Sequence, residues 1–277
     1  MKMLLKIILR IFLVYVLVLA FFKIGNFESR MLFFPQKHPT PVPAGFQNIL
    51  THGKIQTSSG DLISYWVSSG DINKPVIIFS SGNATTLDTL IPMFQILSSD
   101  GNIVVMYDYS GYGESTGSPS EKTLYANLDA VIAHVKEKFY INTSDIILAA
   151  HSLGSAVAIN AAYRENFKAL LLITPFTSIS GMRAHLARIQ PVFLITKLFP
   201  LRYSFNSLGK IAGIDAPIYI FHSNTDEIVP YFMGAELAAQ NNRAKLFSYK
   251  SGGHNEIFWF EADMRQVIQS LNNLTQE

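Results

Sequence analysis

No cysteine occurs among the 277 residues. That excludes disulfides, thiolate metal sites, a cysteine nucleophile and a lipid anchor on cysteine. Charge is also scarce, at 15% of residues against about 25% in an average soluble domain, which excludes a charged coiled coil. The 49% hydrophobic share excludes a disordered chain. A formal net charge of +2 is too small for the basic stripe of a nucleic-acid binder, so no nucleic-acid partner is expected. The sequence has neither an internal repeat nor a low-complexity tract.

Much of the apolar excess lies at the start. Ile11 to Phe22 is a run of twelve apolar residues, preceded by Lys2, Lys6 and Arg10 and closed by Lys23. Twelve helical residues span only about 18 Å of a hydrocarbon core about 30 Å thick. Counted from Leu4 to Ile24 the length suffices, provided Lys6 and Arg10 snorkel to the headgroups. The basic start favours a cytoplasmic N-terminus with the remainder exported. A signal anchor over residues 1–26 is therefore expected, and with it a single-pass membrane protein. A cleaved signal ending at Val18-Leu19-Ala20 is the alternative, and Phe21 and Phe22 argue against it because a processed end is usually polar. A hydrophobic docking helix is the third reading. Residues 27–48, with the Pro-rich stretch QKHPTPVPAG, read as a linker.

Beyond the linker, one domain over 49–277 alternates short apolar runs with amphipathic stretches. Lys54–Thr57 and Leu62–Ser68 flank SSGD, a hairpin signal. Strands are then expected at Val76–Phe79, Ile103–Tyr107, Ile146–Ala149, Leu170–Thr174, Ile218–Phe221 and Lys245–Tyr249, with helices near 86–98, 121–138, 153–165, 230–241 and 257–273. Continuous apolar strands separated by helices predict an α/β fold with a mostly parallel, doubly wound sheet. The interval from Thr174 to Pro217 is too long for a simple crossover. It carries Arg183, Arg188, Lys197, Arg202 and Lys210 against a lone Asp215, and reads as a cap over about 179–216.

The sharpest chemical signal is Ala150-His151-Ser152-Leu153-Gly154, between an expected strand and a small-residue helix. A serine on such a turn is the nucleophile elbow, usually written G-x-S-x-G, with Ala150 here in place of the first glycine. The bland reading is a serine that merely caps a helix. Chain order favours catalysis. Asp226 stands beyond the strand Ile218–Phe221, and His254 follows the last strand on a Gly-Gly loop. Ser152, Asp226 and His254 would thus supply nucleophile, orienting acid and general base, with Glu227 as fallback acid. An oxyanion hole needs two N–H donors. Leu153 supplies one, and Asn83 in the loop Ser80-Ser81-Gly82-Asn83 is the choice for the other, against a plain turn. The run Asp108–Ser115 lacks a P-loop lysine and reads as a turn pinned by Asp108. His151 is expected to point into the sheet packing. His134, His185 and His222 have no partner at metal-ligand spacing, so no metal is expected.

Taken together, Ser81-Gly82-Asn83-Ala84, Asp108-Tyr109-Ser110-Gly111-Tyr112-Gly113, Ala150–Gly154, Asp226…Val229-Pro230 and Gly253-His254 resemble the α/β-hydrolase superfamily. More narrowly the chain is similar to single-pass, membrane-anchored serine hydrolases, with an FFP segment, an HGNA oxyanion motif, DYRGYG-x-S and a short cap. The likeness implies a sheet of about eight strands and hydrolysis of esters, thioesters or sometimes peptides without a cofactor; some animal relatives remove palmitate from proteins. Three positions depart from the pattern: Ser81 for the histidine of HGNA, Ala150 for the first elbow glycine, and Ser223 for the glycine before the acid loop. The expected function is a membrane-tethered serine hydrolase acting on a small-molecule or acylated ester or thioester. A serine peptidase and a non-catalytic binding protein on the same fold are the alternatives.

Overall fold

The computed structural model describes residues 27–190, 196 and 200–273. The expected signal anchor, residues 1–26, lies outside them. Among the described residues no helix is long and apolar enough to cross a membrane.

The chain runs through α1 (Phe27–Leu32), β1 (Leu50–Gln56), β2 (Leu62–Ser68), β3 (Val76–Ser80), α2 (Ile91–Leu97), β4 (Val104–Tyr107) and α3 (Glu121–Phe139). It continues through β5 (Ile146–His151), α4 (Leu153–Ala162), β6 (Ala169–Ile173), α5 (Ile179–Ile189) and α6 (Leu208–Ile211). The last elements are β7 (Ile218–Ser223), α7 (Tyr231–Ala239), β8 (Ala244–Tyr249) and α8 (Glu261–Asn273). Eight strands form one sheet in the order β1-β2-β4-β3-β5-β6-β7-β8. β1 and β2 pair antiparallel, as do β2 and β4, and all other pairs are parallel.

The apolar runs are continuous because both faces are covered. Along β3, Val76 and Ile78 join the core on one face while Ile77 and Phe79 join the core on the other. β5 divides the same way, Ile146, Leu148 and Ala150 against Ile147 and Ala149. This is the two-residue period of a strand applied to two buried faces. α3, α4 and α7 cover the first face, and α2 and α8 cover the second. α3 begins sharply because Ser120 and Thr123 form a reciprocal cap: Thr123 N–H donates to Ser120 Oγ at 3.1 Å, and Ser120 N–H to Thr123 Oγ1 at 2.8 Å.

β1 starts four residues before its expected position. Its segment LTHGKIQ shows no clean apolar alternation, and what makes it a strand is the register with β2, Leu50 opposite Ser68 through Gln56 opposite Leu62. The stretch expected as a linker also packs on the domain. Phe33 is only 2% exposed and Thr40 is fully buried.

Chain order reverses at β3, which has β4 on one side and β5 on the other. Loops leaving the carboxyl ends of β3 and β5 diverge there, which is where such sheets bind ligands.

Asp108 pins the turn after β4, accepting from Leu87 N–H at 2.9 Å and from the Thr40 hydroxyl at 3.3 Å. Burial pushes its carboxyl up to about 7, against the lowering effect of those two donors. In the unfolded chain the group titrates near about 4. The folded state therefore binds a proton that the unfolded state has lost across that window, and stability falls as pH rises from about 4 to about 7. Asp108→Asn should lose less stability than wild type between about pH 5 and pH 8, measured as urea midpoints at both ends. An equal loss in both proteins would show that Asp108 is not the titrating group.

Candidate active site

Ser152 sits at the turn between β5 and α4 with φ 51° and ψ −114°. A serine pays steric strain for a positive φ, which persists only where the surroundings impose it. Two neighbours do so. Ser152 N–H donates to the Ile173 carbonyl at 2.9 Å, and Ser155 N–H donates back to the Ser152 carbonyl at 2.9 Å. Gly154 is required by space, because a Cβ there would meet the Ser80 carbonyl oxygen at 2.1 Å. Ala150 is a strand residue with its methyl in the core beneath α4, which explains why the first elbow glycine is dispensable here.

His254 reaches this turn from the loop after β8. Its Nε2 lies 2.9 Å from Ser152 Oγ, and its Nδ1 lies 2.8 Å from Asp226 Oδ2 and 3.1 Å from Oδ1. Since a carboxylate only accepts, Nδ1 carries the proton and Nε2 is free to accept from the serine hydroxyl. The Asp226 side chain is fully buried. Burial alone raises its pKa, but hydrogen bonds from His222 and His254, the His254 charge and the Ile228 N–H together hold the carboxyl well below its usual range. Ile228 and Val229 N–H both donate to Oδ1, at 2.9 and 2.8 Å. The acid loop is stitched to the histidine loop by Asn224 N–H to the Tyr249 carbonyl and by the Thr225 hydroxyl to the Gly252 carbonyl. Asp226, and not Glu227, bonds the His254 ring; Glu227 accepts the His254 backbone N–H at 3.1 Å.

The loops that carry Asn83 and Leu153 leave neighbouring strands. Ser80 of β3 is the register partner of Ala150 of β5, so both chains leave the sheet at one level, and each residue lies three positions farther on. Leu153 opens α4, where the first N–H groups have no partner inside the helix. Among the described residues no group of three His, Asp or Glu side chains is arranged to hold a metal ion.

The family described as serine aminopeptidase, S33, matches residues 71–209. Alpha/beta hydrolase domain-containing protein 17B of Xenopus tropicalis is 32% identical over 226 residues, covering 79% of this chain and 75% of that protein. The chain belongs to the α/β-hydrolase superfamily. The human protein of the same name is 31% identical over the same length. Among solved structures, a Pyrococcus furiosus esterase superposes with a TM-score of 0.70 at 17% identity, covering 87% of this chain and 98% of that one. Est1E from Butyrivibrio proteoclasticus, with ferulic acid bound, superposes with a TM-score of 0.61 at 17% identity, covering 81% and 98%. At such identities these two likenesses speak for the fold.

Three features of this α/β-hydrolase were not read from the sequence. His222 is fully buried, with Nε2 2.9 Å from the Val229 carbonyl and 3.4 Å from Asp226 Oδ2, so a second imidazole flanks the acid. His151 does not serve the sheet packing; its Nε2 donates to the His254 carbonyl at 3.0 Å, and the two rings lie 5.0 Å apart. Burial, then the His254 charge, lowers its pKa to about 4, so it stands neutral beside the His254 ring. The third feature is a ladder of buried tyrosines. Tyr107 bonds Ser80 Oγ at 2.8 Å, Tyr109 donates to the Ser81 carbonyl at 3.0 Å, and Tyr112 donates to Asn83 Oδ1 at 2.7 Å. The turn after β4 thus holds the loop after β3, rung by rung. Three tyrosines within six residues, the first closing a strand, were the available signal.

Proposed function

We propose that this α/β-hydrolase is a membrane-tethered serine hydrolase that cleaves a carboxylic ester or thioester through an acyl-enzyme. The observation that carries the reading is the unbroken chain Ser152 Oγ, His254 Nε2, His254 Nδ1, Asp226, with spacings of 2.9 and 2.8 Å and the serine on a strained turn. Ser152 Oγ attacks the acyl carbon while His254 Nε2 takes its proton. The oxyanion that forms is held by the backbone N–H groups of Asn83 and Leu153. The intermediate collapses, and His254 returns the proton to the departing alcohol or thiol. Water then attacks the acyl-enzyme, with His254 as base, and releases the acid. Asp226 keeps the imidazole in the productive tautomer and balances its charge.

The tether is the stretch of residues 1–26, whose early basic residues favour a hydrolase domain on the exported side. Retention of the chain in carbonate-washed membranes supports this, and release to the supernatant refutes it.

A peptidase reading is favoured by the description of the matching family. A site for free amino termini needs an acidic group facing the substrate, and the cap interval 179–216 has Asp215 as its one acid. Purified protein assayed on p-nitrophenyl esters from acetate to palmitate, an acyl thioester and aminoacyl p-nitroanilides decides between them. The expected outcome is turnover of esters or thioesters at least about 100-fold above the anilides. Comparable or faster anilide cleavage would replace this reading with the peptidase.

A further inference from the structure

Residues 28–40 form a strap that joins the loop after β3, the turn after β4 and the residues around 202–203. Asn83 is tied to it twice: its Nδ2 donates to the Leu32 carbonyl at 2.7 Å, and Phe34 N–H donates to its Oδ1 at 3.1 Å. These two bonds flank Phe33, whose ring is buried with centroids 5.2 Å from Tyr203 and 6.2 Å from Phe205, both edge-on. Tyr203 and Phe205 belong to the returning end of the cap. That end is held by two glutamates. Glu28 of the strap accepts from the N–H groups of Arg202 and Tyr203 at 2.7 and 3.2 Å, and Glu121 accepts from those of Ser204 and Phe205 at 2.7 and 2.9 Å. Farther along, the Gln36 carbonyl accepts Gly113 N–H at 2.7 Å, and Thr40 N–H reaches Glu114 at 3.0 Å. One residue therefore joins the loop after β3 to the base of the cap.

We propose that Phe33 is a positioning residue: seated against the cap end and bonded through its neighbours to Asn83, it sets the position of the oxyanion loop. The inference rests on the reading of Asn83 N–H as an oxyanion donor. The amide side chain of Asn83 then works as the knot, while its backbone N–H faces the reacting carbonyl. Because the strap leads directly out of residues 1–26, whatever holds those residues also bears on the oxyanion loop. An apolar ring suits the joint, since its burial supplies holding energy without a charge near the developing oxyanion.

The test is a double-mutant cycle on the full-length chain: wild type, Phe33→Ala, Asn83→Ala and the double variant, with kcat and KM on one p-nitrophenyl ester and Tm for each. Misplacing a catalytic group by about 1 Å costs about 100-fold, so each single variant should lose about 10- to 100-fold in kcat with KM changed by less than about threefold. If Phe33 acts through Asn83, the double variant is no slower than the worse single one. Phe33→Leu, which keeps much of the bulk, should recover part of kcat. Ile132→Ala, in the core on α3, controls for lost stability and should keep its kcat at a matched Tm loss. Multiplying effects in the double variant overturn the proposal. So does an unchanged kcat in folded Phe33→Ala, or an equal kcat loss in Ile132→Ala. Should Phe33→Ala not fold, the cycle runs with Phe33→Leu under the same criteria. A wild type that neither turns over nor labels with a fluorophosphonate overturns this inference together with the serine-hydrolase reading. A wild type that does both, with a kcat indifferent to Phe33, overturns the strap alone.

Discussion

Ser152→Ala is expected to lower kcat by roughly 10⁴- to 10⁶-fold and to abolish fluorophosphonate labelling, with KM and Tm near wild type. Alanine keeps the Cβ and so accepts the same strained backbone, which is imposed by the Ile173 carbonyl and by the close seat of Gly154 on Ser80. What is lost is the one atom placed 2.9 Å from His254 Nε2. The residual rate measures what binding and the oxyanion donors achieve without a nucleophile. Intact mass after fluorophosphonate treatment, beside steady-state rates on the best ester, checks both halves. If the variant still turns over at more than about 1% of wild type, Ser152 is not the nucleophile. The tilted elbow would then be a helix start and nothing more.

How much of this was visible in the chain depended on whether neighbours in sequence carried the information. β3, β5, β6 and β7 are buried on both faces and wrote themselves as apolar runs. β1 did not, because LTHGKIQ lies at the sheet edge and owes its conformation to backbone pairing with β2. The three residues brought together at Ser152 each followed a readable strand, so their order along the chain already placed them on one edge. Nothing comparable marked the strap. Its partners, Asn83, Glu114 and the cap end, lie 49 or more positions away, and its bonds reach distant groups without any period. His222 illustrates the same limit at closer range. It looks like any residue near the end of a strand until the chain turns and brings the Val229 carbonyl and the Asp226 carboxylate onto its ring. His151 was misjudged because its partner, the His254 carbonyl, is 103 residues distant.

Asp226→Asn should cost roughly 10³- to 10⁴-fold in kcat with KM little changed. The carboxylate accepts from His254 Nδ1, so the productive imidazole has its proton there and its lone pair toward Ser152. An amide in the same place turns an NH₂ toward Nδ1, drives the proton to Nε2, and leaves the serine facing a donor. The surroundings favour that inverted orientation, because Ile228 and Val229 N–H both demand an acceptor at Oδ1 and so keep the amide oxygen on their side. His222 adds a second constraint. Its Nε2–H still has the Val229 carbonyl at 2.9 Å, so the variant loses little there and should fold. The cost is therefore catalytic, in contrast to a loss of structure, and Tm measured beside kcat separates the two. Asp226 stays ionised across the neutral range, so any limb of the wild-type pH–rate profile between about pH 5 and pH 8 belongs to another group. Glu227→Gln is the comparison that gives the result its meaning. Glu227 accepts the His254 backbone N–H, and an amide oxygen can replace that contact, so kcat should stay within about threefold. If Asp226→Asn loses less than about tenfold while Glu227→Gln loses more, the orienting acid is Glu227. The buried carboxylate between two imidazoles would then be a structural ion serving only the acid loop.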